Sequence, residues 1–331
     1  MIISDNQKTI LSILADGEFH SGSALSDILG ISRSAVWKHL NNLSQLGLEH
    51  IAISGKGYRL SRPLELLCRD KIEPFLTQRA KLGLSVLEIH DQLDSTNSYL
   101  IERARLNAPS GSVCLAEFQT AGRGRRGRHW VSPFGSNIYL SVLWRFQNGP
   151  AAISGLSLAI GVSVVRALKQ LNIDGIGLKW PNDIYWQGQK LGGILVEVSG
   201  ESNGPCAAVA GLGLNLYLPE TQAAVITQAW TDLTKVTDRT DLSRNYLIAL
   251  LLNELLPVLA QFETVGISAH IDEWRTFDCL KNQNVRLYLF EQQIAGTAEG
   301  IDDNGMFLLR THEGDIRVFA SGEVSFNDST L

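Results

Sequence analysis

The chain has 331 residues, 44% hydrophobic and 19% charged, with a formal net charge of −5. This is the composition of an ordinary soluble globular protein with room for two or three domains, and its charge argues against binding nucleic acid over the whole surface; a local basic face stays open. The four cysteines, Cys68, Cys114, Cys206 and Cys279, include no pair at metal-ligand spacing, which points to free thiols in a reducing compartment, the cytoplasm. The opening MIISDNQKTI lacks the basic-then-apolar order of a secretion signal.

Ile10, Leu11, Ile13 and Leu14 recur at helical spacing in residues 7–15. A short helix over residues 23–29 stops at Gly30, and a second starts at the natural N-cap Ser32 with Val36, Leu40 and Leu43 on one face. A hairpin over residues 51–60 with the tip Ser54-Gly55-Lys56-Gly57 completes a winged helix-turn-helix domain, residues 1–62. Its second helix would bring Ser32, Arg33, Ser34 and Lys38 to a major groove, while Lys56 and Arg59 of the wing meet phosphates. Trp37 is expected to pack rather than to read bases. These residues hold six Lys and Arg against five Asp and Glu, so a protein-interaction module is the alternative to DNA binding.

Pro63 opens a connecting segment, residues 63–84, with a short helix near 74–78. A second domain, residues 85–270, begins with a strand over 85–90. The cluster Asp94-Ser95-Thr96-Asn97-Ser98 precedes a helical run over 99–106; one of these residues caps the helix and the others can offer hydroxyls to a ligand. The run GRGRRGRHW, residues 122–130, interleaves Arg123, Arg125, Arg126 and Arg128 with Gly122, Gly124 and Gly127, between strand-like runs at 113–118 and 137–144. It is too glycine-rich for a helix and too charged for a buried strand, so it is a loop. Glycines let backbone approach a ligand and guanidinium forks suit carboxylate and phosphate oxygens; an anion site is expected, with a solvated basic loop or a nucleic-acid contact as alternatives.

Residues 150–171 read as a buried helix, since only about 15 of the residues after Pro150 suit a helix, too few for a membrane span. KWPND (179–183), a strand at 184–186, KLGGILVE (190–197), a strand at 207–210 running into GLGLN (211–215) and a closing helix at 246–262 follow. Helices alternating with hairpins predict an α+β domain with a mixed, largely antiparallel sheet. Short strands at 285–290, 294–300, 306–310 and 316–320 predict a small barrel over residues 275–331. The expected fold class is α+β multidomain.

DSTN (94–97), GRGRRGRHW, KWPND, KLGGILVE and GLGLN, in this order, resemble the motifs of biotin–protein ligases. With the winged helix in front, the chain is similar over all three domains to the bifunctional bacterial ligases that also repress the biotin operon. The resemblance implies a class II synthetase-like central domain and an SH3-like C-terminal barrel. It also implies the reaction: ATP and biotin form biotinyl-5′-AMP, whose anhydride acylates one lysine of a biotin carrier protein of the acetyl-CoA carboxylase type. The adenylate-bound homodimer then represses transcription on operator DNA, with no membrane partner.

By the same resemblance, Arg123, Lys190 and Asp183 are catalytic. Ser95, Thr96, Asn97, Gln119, Arg123, Gly124, Arg125, Lys190 and Gly192 are assigned to biotin. Arg125, Arg126, Arg128, Asn182, Asn215 and Trp230 are assigned to the nucleotide, and Asp183 to Mg2+. The chemistry accords with these types, because a carboxylate meeting a triphosphate needs like charges neutralised, and a buried ureido ring needs donors and acceptors. Trp230 either stacks on adenine or simply packs. A biotin-responsive regulator without catalysis and a lipoate–protein ligase are the other readings.

Overall fold

In the computed structural model, which describes residues 3–201, 204–289 and 292–326, a serine starts each of the first three helices. Ser4, Ser21 and Ser32 accept from the N–H groups of Gln7, Ala24 and Ala35 and open α1 (Asp5–Leu14), α2 (Gly22–Leu29) and α3 (Arg33–Asn42). Gly30 ends α2 at φ 64°, a left-handed conformation that glycine adopts without a Cβ clash. Ile10, Leu11, Leu14, Leu25, Val36 and Leu40 meet in a small core beside the hairpin of β1 (His50–Ile53) and β2 (Gly57–Leu60). Trp37 departs from expectation: it is 57% exposed, on a helix whose Arg33, Ser34 and Lys38 are exposed too.

Residues 63–84 are more than a tether. They carry α4 (Arg69–Ile72), a 3-10 turn at Glu73–Phe75 and α5 (Gln78–Gly83), which Thr77 caps. The helix expected near 74–78 is therefore divided around Thr77, whose hydroxyl accepts from Ala80 N–H. Ile72, Leu76 and Ala80 are buried in the central core, so the segment folds with the second domain.

That domain is built on β3 (Val86–His90), β4 (Ser112–Ala116), β5 (Ile138–Phe146), β6 (Ile176–Lys179), β7 (Asp183–Trp186), β8 (Gln189–Gly200) and β9 (Cys206–Leu214). They lie in the order β3-β4-β5-β9-β8-β7-β6, and only β3 and β4 are parallel. Alternate residues face opposite ways. Cys114, Leu143 and Val209 meet α6 (Thr96–Arg105), whereas Val113, Val142 and Ala208 meet the core of α7 (Leu156–Lys169) and α10 (Arg244–Val265). The short helices α8 (Glu220–Ala223) and α9 (Leu233–Thr237) lie between β9 and α10.

Two helical stretches, residues 150–169 and 244–265, are long and apolar enough to cross a membrane by length and composition. Both are core helices here. Gly155, at φ 80°, separates the 3-10 turn at Pro150–Ile153 from α7 and leaves only 14 residues of regular helix, and Val162, Val164, Leu247 and Leu251 are fully enclosed.

α11 (Ser268–Phe277), for which no helix was expected, leads to β10 (Asn284–Leu289), β11 (Gln292–Ile301), β12 (Phe307–Thr311), β13 (Ile316–Phe319) and β14 (Glu323–Phe326). Their order is β13-β12-β11-β10-β14, antiparallel throughout, the small β-rich domain that was expected. Residues 290, 291 and 327–331 of the expected barrel lie outside the described residues. Trp180 of KWPND joins the two domains, donating through Nε1 to Gly305 O at 3.1 Å and stacking on Phe307 with ring centroids 5.2 Å apart.

At the same junction, Asp278 bridges Leu178, and its Oδ2 is buried without a partner. Burial pushes this carboxyl up to about 6, against backbone N–H donors that pull it down. A carboxyl raised above its ordinary value favours the folded state in its protonated form; that contribution is complete below the ordinary value and is lost as pH rises through about 6. Asp278→Asn is therefore expected to be more stable than the native chain at pH 7.5, by on the order of 2 kcal/mol, with the gap closing towards pH 4. Urea melts of both proteins across that range check it, and a gap independent of pH contradicts it.

Candidate active site

The paired strands β8 and β9 form the floor of a cavity, with Gly193, Leu195, Gly211 and Gly213 lining it. Two of these glycines are there for room. A Cβ on Gly211 would lie 2.2 Å from Asn97 Oδ1, and one on Gly213 would lie 2.4 Å from the Trp130 ring. Gly211 to Leu214 of GLGLN thus belong to β9, which runs beyond the expected end at residue 210 because they pair with β5 and β8, while Asn97 and Trp130 fill the space over the two glycines. The cavity, about 910 Å³ including its open mouth, is of a size for a small organic ligand.

One wall is the start of α6. Ser95 is the N-cap, so the helix begins at Thr96, earlier than expected, with Thr96 and Asn97 buried in its first turn. Thr96 donates through N and Oγ1 to Gln119 Oε1 at 2.9 and 3.2 Å, and Gln119 Nε2 donates to Ser132 Oγ at 3.0 Å. Ser141 Oγ lies 2.7 Å from Thr96 Oγ1 and 2.6 Å from Asn97 Oδ1. This is a buried chain of hydroxyls and amides able to take up both donors and acceptors of a ligand.

Opposite lies a charged cluster. Asp183 sits between Lys190, 2.8 Å away, and Lys179, 3.4 Å away. Burial alone would raise its carboxyl, but the two ammonium groups, Lys190 foremost, hold it below the usual range. Burial lowers Lys179 in turn, against the attraction of Asp183. The backbone of Lys190 is strapped in place, its N–H donating to Ala229 O at 3.0 Å and its carbonyl accepting from Thr231 N–H at 2.9 Å.

The arginine loop forms the roof. Arg126, at φ 55°, and Gly127, at φ 73°, turn the chain so that its guanidinium groups diverge. Arg123 Nη2 donates to Glu197 Oε1 at 2.6 Å. Arg125, whose pKa burial lowers, donates to Asn182 Oδ1 at 2.8 Å and to Gly322 O at 3.1 Å. Arg126 reaches Tyr288 O at 3.3 Å, and both Arg126 and Arg128 pair with Glu323 of β14. Three of the four arginines therefore touch the C-terminal domain.

A smaller cavity of about 370 Å³ adjoins the first and shares His129, Trp130, Lys190 and Gln228 with it. Asn215 and Trp230 line this second space, not the first; Asn215 Nδ2 donates to Thr231 O at 3.0 Å, and Lys235 Nζ lies 3.9 Å from the Trp230 ring centroid. Ser95, Thr96, Asn97, Gln119, the four arginines, Gly124, Asn182, Asp183 and Lys190 all line the main cavity. Gly192 does not. A Cβ there would meet Leu214 and Ile184 in the core, because successive residues of β8 alternate faces, and Gly193 takes the expected place.

Lys179, Trp130, Glu197 and Glu323 went unassigned at the sequence level. The first three stand inside KWPND, GRGRRGRHW and KLGGILVE, so the motifs held a signal for them; Glu323 had none, as it arrives from another domain. On the winged helix, Arg33, Ser34, Lys38 and Lys56 are exposed. Ser32 spends its hydroxyl oxygen on the cap, and Arg59 lies over the Phe19 ring at 4.9 Å with Nε buried. Among the described residues no group of three or more His, Cys, Asp or Glu is placed to hold a metal ion.

Three family profiles match in chain order: a helix-turn-helix (HTH) domain at residues 6–59, the Biotin/lipoate A/B protein ligase family at 89–215, and the Biotin protein ligase C terminal domain at 282–327. A helix-turn-helix domain joined to a ligase of the biotin/lipoate type is the class they define. The bifunctional ligase/repressor BirA of Escherichia coli (strain K12) is 40% identical over 320 residues, 97% of each chain, and that of Salmonella typhimurium is 41% identical over 321 residues, again 97% of each. The biotin protein ligase of Aquifex aeolicus, solved in complex with biotin and ATP, superposes with a TM-score of 0.62 at 29% identity, covering 74% of this chain and 100% of its own. The chain belongs to the BirA family of bifunctional ligase/repressors.

Proposed function

We propose that this protein is an ATP-dependent biotin–protein ligase that also represses transcription from operator DNA. The observation that carries the catalytic half is the juxtaposition, in one cavity, of the buried Thr96–Gln119–Ser141 chain with the Lys179–Asp183–Lys190 cluster under an arginine-rich roof. The polar chain suits a ureido ring that cannot be buried unpaired, and the apolar floor suits its bicyclic body and valeryl arm.

In this reading Lys190 and Arg123 neutralise the biotin carboxylate and the α-phosphate as they approach. The carboxylate oxygen attacks that phosphorus, the bond to the β-phosphate oxygen breaks, and pyrophosphate leaves with the electron pair. The adenine goes to the second cavity with Trp230 and Asn215. The roof keeps water from the anhydride until a lysine amine of a biotin carrier domain attacks its carbonyl and AMP departs. A nucleotide-borne Mg2+ ordinarily takes one or two carboxylates besides phosphates; Asp183 would be its protein ligand, and the ion would supply further charge neutralisation.

For repression, two copies joined as a homodimer align two α3 helices on a two-fold site, with Arg33, Ser34, Lys38 and Lys56 towards the DNA. Cytoplasmic residence fits Cys68, Cys114, Cys206 and Cys279, all free thiols.

Incubation with biotin, ATP and Mg2+ is expected to yield biotinyl-5′-AMP by mass spectrometry, and a hundredfold excess of biotin over Kd to stabilise the fold by about 2.7 kcal/mol where lipoate does not. A larger shift with lipoate moves the assignment to lipoate ligation, and a biotin shift without adenylate moves it to a non-catalytic regulator. Sedimentation of the adenylate-bound protein should show a dimer; a monomer removes the proposed switch.

A further inference from the structure

Glu197 has no role in the reading above, yet among the described residues it is the carboxylate of the sheet that pairs with an arginine of the loop, Arg123. It lies two and four residues beyond Leu195 and Gly193 on β8, the spacing that keeps a strand residue on one face. Its Oε1 accepts from Arg123 Nη2 at 2.6 Å, and its Oε2 accepts from Asn97 Nδ2 at 3.0 Å.

Asn97 is 3% exposed, and both hydrogens of its amide are committed, one to Glu197 and one to Leu195 O at 3.1 Å. Its Oδ1 lies against Ser141 Oγ, which in turn touches Thr96. An ion pair as open as Arg123–Glu197, with side chains 43% and 24% exposed, ordinarily holds little. This one differs because one carboxylate oxygen is pinned from within the buried chain, so the carboxylate is already oriented when the guanidinium arrives. Arg125, Arg126 and Arg128 are bound instead to Asn182 or the C-terminal domain, and among the described residues the Arg123 guanidinium is placed by Glu197 and a 3.4 Å contact with Ser98 Oγ. A guanidinium carries five N–H donors; with one given to Glu197, others remain for a ligand.

We propose that Glu197, anchored by Asn97, is a positioning residue for adenylate formation: it holds Arg123 on the glycine-rich loop where the free guanidinium donors face the reacting carboxylate. The proposal rests on the reading of Arg123 as the group that meets that carboxylate. It concerns the first half-reaction only, because the amine's attack on the finished anhydride needs no second anion brought to the same place.

Single-turnover pyrophosphate release at saturating biotin and ATP is expected to slow about 10- to 100-fold in Glu197→Ala and less in Glu197→Gln, which keeps an oxygen for Arg123. Transfer from chemically prepared biotinyl-5′-AMP to a biotin carrier domain is expected to stay within about twofold of the native rate, a split that general loosening of the fold would not produce. In an Arg123→Ala background, Glu197→Ala should add less than about twofold. Full additivity with a strong Arg123→Ala defect, or equal losses in both half-reactions, overturns the positioning role while leaving the parent reading intact. Native adenylation in Arg123→Ala overturns both.

Discussion

Lys190→Ala is expected to slow biotin- and ATP-dependent pyrophosphate release by about 100- to 1,000-fold, the range seen when one preorganised donor is removed from a site of developing charge. Among the described lysines and arginines, Lys190 is the one that borders both cavities: its side chain pairs with Asp183, and its backbone is strapped to the segment carrying Trp230. The native cluster holds two ammonium groups against one carboxylate, so removing Lys190 leaves a neutral Lys179–Asp183 pair rather than an orphaned charge. The melting temperature should accordingly stay close to native while the rate collapses. Rates within about threefold of native would remove Lys190 from the chemistry, and a large loss of stability would show that the pair with Asp183 is structural.

Arg244→Ala is expected to cost about 3–5 kcal/mol of folding stability, the penalty for breaking a buried ion pair on one side. Arg244 and Glu117 are each 3% exposed and 2.6 Å apart. Arg244 also donates to Glu65 O at 2.8 Å and Asn137 O at 3.0 Å, so it ties the segment after the winged helix, the end of β4 and the start of β5 to α10. Truncation leaves the Glu117 carboxylate enclosed without a counter-charge, with the Leu67 N–H still donating to it. Replacing both by leucine should recover part of the loss, since it removes the stranded charge but leaves the Glu65 and Asn137 carbonyls and the Leu67 N–H without these partners. Guanidinium melts of the three proteins check this; a cost below about 1 kcal/mol for Arg244→Ala would mean that water reaches Glu117.

The local elements were legible because their signals are local. Ser32 before an apolar stripe, Gly30 at a helix end and the strand-like run at residues 137–144 are properties of a few neighbours, and they specified the helix-turn-helix order and most of the central strands. Residues 63–84 read as a connecting segment because Pro63, Pro74 and Thr77 break the helical run; packing on the central domain makes Ile72, Leu76 and Ala80 core. β14 and α11 went unread for a related reason, since four residues at Glu323–Phe326 become a strand only by pairing with β10.

The sequence by itself determined the chemistry available: an arginine–glycine loop, lysines flanking Asp183, small polar residues at a helix start, and glycines in a long strand. Which of these meet was decided by the tertiary structure alone. The pleat of β8 sends Gly193 to the cavity and Gly192 to the core, a difference of one residue that composition cannot express. The partners of the loop's arginines, Glu197, Asn182 and Glu323, lie between 57 and 197 residues away along the chain or at comparable separations, and only sheet order and domain packing bring them within hydrogen-bond reach.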